Sequence, residues 1–188
     1  MRVSQIRPNT ELERYMAVKA LEFVAILDCS RSMYGKEQGI IKGFNQWLKE
    51  QKKIQGEAFL TLALFGSKCQ ILYSHMPIRY VRELDSFTCY VYGNTACYDA
   101  VEEVVELLNQ IQNERKEDYQ AEVLTYLFTD GLDNASIRCT EEDMINIFEG
   151  KKQAGWKVLE EHKDAAAGFA KASQIFTEMR KKGGEIIC

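Results

Sequence analysis

The chain has 188 residues, 46% of them hydrophobic and only two of them proline. This composition excludes an intrinsically disordered chain and is typical of one globular domain with a sizeable core. The formal net charge of -4 provides no basic surface for phosphate binding, so we expect no nucleic-acid partner. The first residues lack an apolar stretch of signal-peptide length, and no run approaches the roughly 20 apolar residues of a membrane span. We therefore expect a cytoplasmic protein with no membrane partner.

Cysteine and histidine are distributed in a way that disfavours zinc binding and histidine catalysis. The six cysteines contain no CxxC pair, and we interpret them as free thiols in a reducing compartment. They are Cys29, Cys69, Cys89, Cys97, Cys139 and Cys188. The two histidines, His75 and His162, are interpreted as ordinary surface or partly buried residues.

Apolar segments of strand length alternate with amphipathic segments of helix length, which predicts a mostly parallel sheet covered on both faces. Residues 1–20 are predicted to be an N-terminal extension, with a short helix over 11–19, and residues 21–188 a single domain. Strands are predicted at 21–27, 58–67, 69–74, 123–128, 156–159 and the terminal EIIC, and helices at 37–53, 98–112, 140–155 and 164–182. The second and third strands are separated by too few residues for a crossover helix, which predicts an antiparallel hairpin at the sheet edge.

The segment DCSRS follows the first strand and carries oxygen-bearing side chains at alternate positions. A chain that leaves a strand in extended form aims alternate side chains the same way, so Asp28, Ser30 and Ser32 are predicted to converge on one point. One carboxylate with two hydroxyls is an oxygen-only set that suits Mg²⁺, Ca²⁺ or Mn²⁺ and does not suit zinc. A serine pair after a strand is by itself more often a turn or a helix cap, so this segment alone leaves both interpretations open.

Mg²⁺ favours six oxygen ligands, so further ligands must come from other loops. Two candidates are Thr95 in YGNTACYDA, before a predicted helix, and Asp130 in LFTDGLDN, at the end of another predicted strand. In an open parallel sheet, ligands bind beyond the carboxyl ends of the strands, near the point where strand order reverses. Three separate loops carrying oxygen ligands indicate a metal site more strongly than any one of them.

The segments DCSRSM, GNTACYDA and LFTDGLDN resemble, in this order, the three signature motifs of the von Willebrand factor type A domain. The resemblance covers about residues 20–160 and is to small cytosolic members of bacterial type. It implies a doubly wound, Rossmann-like α/β fold: a mostly parallel central sheet with one antiparallel edge strand and helices on both faces. The segment GWKVLEEHKDAAAG departs from bacterial relatives, because it becomes charged after four residues where they continue a longer apolar strand.

The resemblance also implies a metal-ion-dependent adhesion site. Its ligands would be Asp28, Ser30, Ser32, Thr95 and Asp130, holding Mg²⁺ with Ca²⁺ or Mn²⁺ as alternatives. In the family the serines and the threonine coordinate the ion directly, the aspartates often act through water, and an acidic group of a partner protein commonly completes the shell. The neighbouring Arg31, Asp99 and Asp133 are expected to support these loops.

The leading interpretation is a non-enzymatic, metal-dependent protein-binding module that captures an aspartate or glutamate of a protein partner. Fold-level analogy suggests a partner in an ATPase-containing complex. Tyr34 and Tyr92 are expected to add flanking contact area, with packing in the core as an alternative for Tyr92. One alternative is a metal-dependent hydrolase or phosphatase, but aspartyl phosphatases need a second acid where this chain has Ser30. Another is a structural protein with a vestigial metal site.

Overall fold

The computed structural model describes residues 20–114 and 121–184 of the chain. The predicted helix over 11–19 and the predicted terminal strand EIIC lie outside the described residues, so both stay predictions. The division into an extension (1–20) and one domain (21–188) is likewise a prediction.

Within the described residues, five strands form one sheet and four α-helices flank it. The strands are β1 (Leu21–Asp28), β2 (Ala58–Phe65), β3 (Cys69–Pro77), β4 (Glu122–Phe128) and β5 (Lys157–Glu161). The helices are α1 (Glu37–Gln51), α2 (Cys97–Glu114), α3 (Glu141–Gln153) and α4 (Ala165–Gly184). Short 3₁₀ turns lie at Arg31–Met33 and Ile78–Tyr80.

The strand order is β3-β2-β1-β4-β5, and only β3 runs antiparallel to its neighbour. The predicted α/β fold, with its edge hairpin, is confirmed. All eight residues of β1 are buried, which agrees with a central strand covered on both faces. Because β2 and β4 lie on opposite sides of β1, strand order reverses at β1, and its carboxyl end is the expected place for a ligand.

Alternate residues of β1 pack into two separate cores. Phe23, Ala25 and Leu27 pack on the face covered by α1 and α4, whereas Val24 and Ile26 pack on the face covered by α2 and α3. The period of two follows from the pleat of the strand.

Helix α4 is part of this core, although it follows the segment where the chain departs from bacterial relatives. Trp47 of α1 stacks on Phe23 at a centroid distance of 4.1 Å, and Phe176 of α4 lies 6.0 Å from the same indole. Phe169 of α4 packs edge-on against Phe44 of α1. Aromatic contacts of this kind fix α4 against α1.

The prediction that the fifth strand ends at Leu159 was wrong by two residues. Strand β5 continues through Glu160 and Glu161, which pair with Leu127 and Phe128 of β4. A run of charge predicts the end of a strand with two buried faces, but β5 lies at the sheet edge, where Glu160 is exposed. Charged residues are common on edge strands because they block pairing with other chains.

Candidate metal site

The carboxyl end of β1 places Asp28 at the centre of the site, fully buried. Its Oδ1 accepts a hydrogen bond from the Ser30 backbone N–H at 2.7 Å, and its Oδ2 accepts one from the Thr129 hydroxyl at 2.7 Å. Both carboxylate oxygens therefore bind protein groups. Oδ1 stabilises the loop after β1, and Oδ2 connects Asp28 to the loop after β4.

The two serine hydroxyls lie side by side, as the alternate spacing predicted. Ser30 Oγ and Ser32 Oγ are 3.0 Å apart, and Ser32 Oγ donates to Asp130 Oδ1 at 2.6 Å. Ser30 has an extended backbone, with φ -71° and ψ 172°. Arg31 and Ser32 already belong to the 3₁₀ turn Arg31–Met33, so the two hydroxyls meet through this turn and not through a continued strand alternation.

Thr95 lies in the loop before α2, and the loop that follows β4 holds its backbone in place. Its backbone N–H donates to Asn134 Oδ1 at 2.9 Å, and its carbonyl accepts from Asn134 N–H at 3.0 Å. Gly131 lies between the loops: a Cβ on this residue would be 3.5 Å from Ser32 Oγ and 3.9 Å from Thr95 Oγ1. Glycine thus leaves a space next to both hydroxyls that a side chain would fill.

The loop before α2 is held against the loop after β1 by its backbone. Arg31 N–H donates to the Gly93 carbonyl at 3.2 Å, and Tyr92 N–H donates to the Cys29 carbonyl at 2.8 Å. Gly93 has a φ of +67°, and a Cβ there would lie 2.3 Å from Ser67 Oγ, so the turn requires glycine. The Tyr92 hydroxyl donates to the Lys68 carbonyl at 2.6 Å. Tyr92 is therefore partly buried and braces the loops, and it packs against the core, as one of the two interpretations predicted.

Asp99 and Asp133 support the loop after β4, in agreement with the prediction. Asp99 accepts hydrogen bonds from three consecutive backbone N–H groups, those of Ile137, Arg138 and Cys139. Burial alone would raise the pKa of Asp99, but these three donors hold that pKa below its usual range. Asp133 accepts from the Tyr98 N–H at 3.0 Å and from the Ser136 hydroxyl at 2.6 Å. Arg31, in contrast, has an exposed side chain and contributes its backbone N–H.

Lys36 places a positive charge at the site. Its Nζ forms an ion pair with Asp130 Oδ2, while Asp130 Oδ1 accepts from Ser32. The Asp130 side chain is only 5% exposed, whereas that of Lys36 is 57% exposed. The carboxylate is thus shielded from solvent, and the lysine contacts it from the exposed surface.

Two thiols near the site, Cys29 and Cys69, lack the properties of a nucleophile, whereas the contact with Cys29 lowers the pKa of Cys89. Cys29 and Cys89 are buried with their sulfur atoms 3.5 Å apart, and this contact together with burial raises the pKa of Cys29. Burial also raises the pKa of Cys69 to about 12. Thiols with raised pKa values stay protonated at neutral pH and are poorly reactive.

The donor set suits a hard cation and relies on hydroxyls. Within residues 20–114 and 121–184, no three side chains of His, Cys, Asp and Glu lie together as a metal cluster. The groups brought together instead are the hydroxyls of Ser30, Ser32 and Thr95 and the carboxylate of Asp130, beside the gap at Gly131. Hydroxyl and carboxylate oxygens are the ligand types that Mg²⁺ or Mn²⁺ prefers, whereas both oxygens of Asp28 are engaged by protein donors.

Sequence reasoning missed three residues of this region: Lys36, Thr129 and Asn134. Thr129 and Asn134 belong to the segment LFTDGLDN, and both have polar side chains next to the end of a predicted strand, which is a usable signal. Lys36 carries no comparable signal, because its contact with Asp130 spans 94 positions of the chain.

Comparison with family models and with curated proteins gives no match for this sequence. Solved structures do match. The von Willebrand factor type A protein from Catenulispora acidiphila superposes with a TM-score of 0.56 and 15% identity over 88% of this chain and 43% of that one. The pilus adhesin SpaC from Lactobacillus rhamnosus GG gives 0.62 and 12% over 89% and 30%. The manganese-loaded TRAP protein of Plasmodium vivax gives 0.51 and 18% over 83% and 63%.

These similarities establish the fold: the chain forms a von Willebrand factor type A-like domain, as its motifs predicted. The domain spans less than two thirds of the length of each of these three proteins, with 63% as the largest share. Among the described residues, no helix combines the length and apolar character that crossing a membrane requires.

Proposed function

We propose that this von Willebrand factor type A-like domain is a metal-dependent protein-binding module. In this proposal Ser30, Ser32 and Thr95 hold one Mg²⁺ ion, with Mn²⁺ or Ca²⁺ as alternatives, and Asp28 and Asp130 act from the surrounding shell. A bound ion would supply positive charge and an exchangeable position for an aspartate or glutamate of a protein partner. The free thiols favour placing this event in the cytoplasm, and fold-level analogy suggests a subunit of an ATPase-containing complex as the partner.

One observation carries the proposal: side-chain oxygen atoms from three loops approach one another at the carboxyl end of β1, where strand order reverses. Ser30 and Ser32 are adjacent, Ser32 reaches Asp130, and Thr95 lies across the gap at Gly131. Two structural neighbours support it: one is manganese-loaded, and another is an adhesin. Each is too distant in sequence to transfer its own ligand or partner to this chain.

The residues of the chain have separate roles in this scheme. Asp28 fixes the loop after β1 through Ser30 N–H and the loop after β4 through Thr129. Asp130 orients the Ser32 hydroxyl. Its Oδ1 accepts a hydrogen bond from Ser32 Oγ at 2.6 Å, and the lone pairs of Ser32 Oγ are left for a cation. Both Asp28 oxygens accept hydrogen bonds, so this carboxylate is poorly suited to act as the nucleophile of a phosphatase.

Lys36 competes with a cation for Asp130, so Lys36→Gln is expected to tighten Mg²⁺ binding. Exposed ion pairs contribute about 0.2–1 kcal/mol, which corresponds to a roughly 1.4- to fivefold lower dissociation constant when the competitor is removed. Isothermal titration calorimetry with Mg²⁺ measures the change. Lys42→Gln, which removes an exposed charge farther along α1, is the matched control and is expected to leave the affinity as it was. Weaker binding by Lys36→Gln would show that the lysine assists the ion.

Selection from a displayed library of random peptides tests the proposed function. The immobilised protein is screened in Mg²⁺ and in chelator, and Asp130→Ala is screened in parallel. We expect enrichment of peptides that share an aspartate or glutamate, only with Mg²⁺ and only with Asp130 intact.

Glu149→Gln, which removes an exposed acid from α3, serves as the charge-matched control and is expected to select the same peptides as the unmodified protein. Equal enrichment in Mg²⁺ and in chelator would contradict metal-dependent capture. Mg²⁺ binding without any enriched peptide would instead favour a purely structural metal site.

A further inference from the structure

Exposed apolar side chains are concentrated at the end of the molecule that carries the candidate site. Seven large hydrophobic residues of the described chain are exposed. Five of them belong to the loops 29–36, 81–96 and 129–140, which we call the site loops: Tyr34, Phe87, Tyr90, Leu132 and Ile137. The remaining two, Tyr80 and Ile145, lie outside these loops. Single exposed apolar residues are ordinary, but a group around one polar site marks an interaction surface.

Three of these residues lie next to the candidate ligands, and we call them the apolar rim: Tyr34, Tyr90 and Leu132. Tyr34 follows Ser32 by two residues and is 84% exposed, and Leu132 follows Asp130 by two and is 88% exposed. Tyr90 directly follows Cys89. The sulfur of Cys89 contacts the sulfur of Cys29, the residue between Asp28 and Ser30 in the sequence. The Tyr90 ring also lies 5.4 Å from that of Tyr92. The rim thus receives one side chain from each site loop.

The exposed charges of the site loops have both signs: Arg31 and Lys36 are positive, and Glu83 and Asp85 are negative. Arg31 and Lys36 are exposed on the loop that carries Tyr34. The acids next to the candidate ligands, in contrast, are engaged within the protein: Asp28 is fully buried, Asp130 is paired with Lys36, and Asp133 accepts hydrogen bonds from a backbone N–H and a hydroxyl. A metal ion held between apolar side chains, as in the proposed function, would complement an acidic group with apolar neighbours.

We infer that the apolar rim docks an extended peptide segment of the partner protein in which one aspartate or glutamate is flanked by large apolar residues. The acid would be received at the metal position, as in the proposed function on which this inference rests. The residues on either side of the acid would lie against Tyr34, Tyr90 and Leu132. Aromatic and leucine side chains around a polar centre provide contact area and exclude water from it.

Rim variants test the inference on peptides from the selection described above. The affinity of an enriched acidic peptide is measured by fluorescence anisotropy in Mg²⁺ for the unmodified protein, Tyr34→Ser and Leu132→Ser. We expect each variant to bind roughly tenfold more weakly, since each loses the burial of one large side chain. Tyr80→Ser removes a 64% exposed tyrosine near Pro77, at the opposite end of the sheet, and is expected to bind normally.

Mg²⁺ affinity of the same variants, measured by calorimetry, separates this inference from the proposed function. We expect it to be unchanged in Tyr34→Ser and Leu132→Ser, and the enriched peptides to carry large apolar residues beside the acid. Enriched peptides with an acid but no apolar neighbours, bound equally by the rim variants, would overturn the rim while leaving metal-dependent capture intact. Failure of the selection itself would overturn the proposed function, and the rim inference with it.

Discussion

Asp28→Ala is expected to lower the free energy of unfolding by about 2–5 kcal/mol and to abolish measurable Mg²⁺ binding. Its carboxylate is fully buried and accepts from Ser30 N–H and from the Thr129 hydroxyl. Alanine leaves the Ser30 N–H buried without an acceptor, at a cost of about 1–3 kcal/mol, removes the shorter of the two hydrogen bonds of the Thr129 hydroxyl, and creates a small cavity. Urea unfolding followed by circular dichroism measures the stability, and calorimetry the metal affinity.

Asp28→Asn distinguishes the two effects, because asparagine has the same shape and keeps an oxygen acceptor for Ser30 N–H. The charge, however, is lost. We expect a stability loss of about 1 kcal/mol and a Mg²⁺ affinity at least roughly tenfold weaker, as for other supporting residues of metal sites. Unchanged Mg²⁺ affinity in Asp28→Asn would contradict a role for this carboxylate at the ion.

Arg180→Met is expected to destabilise the fold by about 3 kcal/mol, because hydrogen bonds from a buried charged group are worth about 1.5–3 kcal/mol each. Arg180 is only 8% exposed and donates to the carbonyls of the segment that connects α1 to β2. The acceptors are Gln51, Ile54, Gln55 and Gly56, at 2.9, 2.9, 3.3 and 2.8 Å. One side chain of α4 therefore satisfies the carbonyl groups at the C-terminal end of α1 and in the segment that follows it.

Lys181→Met is the matched control, since it removes the same charge from the next residue of α4, which is exposed. Surface substitutions of this kind change stability by about 0.5 kcal/mol or less. Urea unfolding of both variants gives the comparison. Equal midpoints for Arg180→Met and Lys181→Met would contradict the structural role of the buried guanidinium.

The central part of the fold was predictable because its signals are local. A continuous apolar run predicts a strand buried on both faces, as β1 confirms, and a three-residue gap forces β2 and β3 into a hairpin. The end of β5 was not predictable in the same way. From the sequence alone, Glu160 and Glu161 indicate the end of a strand. They are compatible with a continuing strand because β5 lies at the sheet edge, and that position depends on the order of all five strands.

The candidate site was predictable to the extent that strand ends and alternate spacing determine it. Asp28, Ser30 and Ser32 follow one strand, and the structure brings Ser30 and Ser32 together with Asp130. Contacts between distant loops could not be read from the sequence. The pairing of Lys36 with Asp130 and the partial burial of Tyr92 both depend on how loops far apart in the chain approach one another.

Anomalous diffraction from crystals grown with Mn²⁺ tests most directly whether the three loops meet around one ion. We expect a single strong peak at the carboxyl end of β1, within about 2.5 Å of the hydroxyl oxygens of Ser30, Ser32 and Thr95. Crystals of Asp28→Asn, grown in the same way, are expected to show a weaker peak or none. A fully ordered set of site loops with no peak between them, or a peak elsewhere on the molecule, would contradict the proposed metal site.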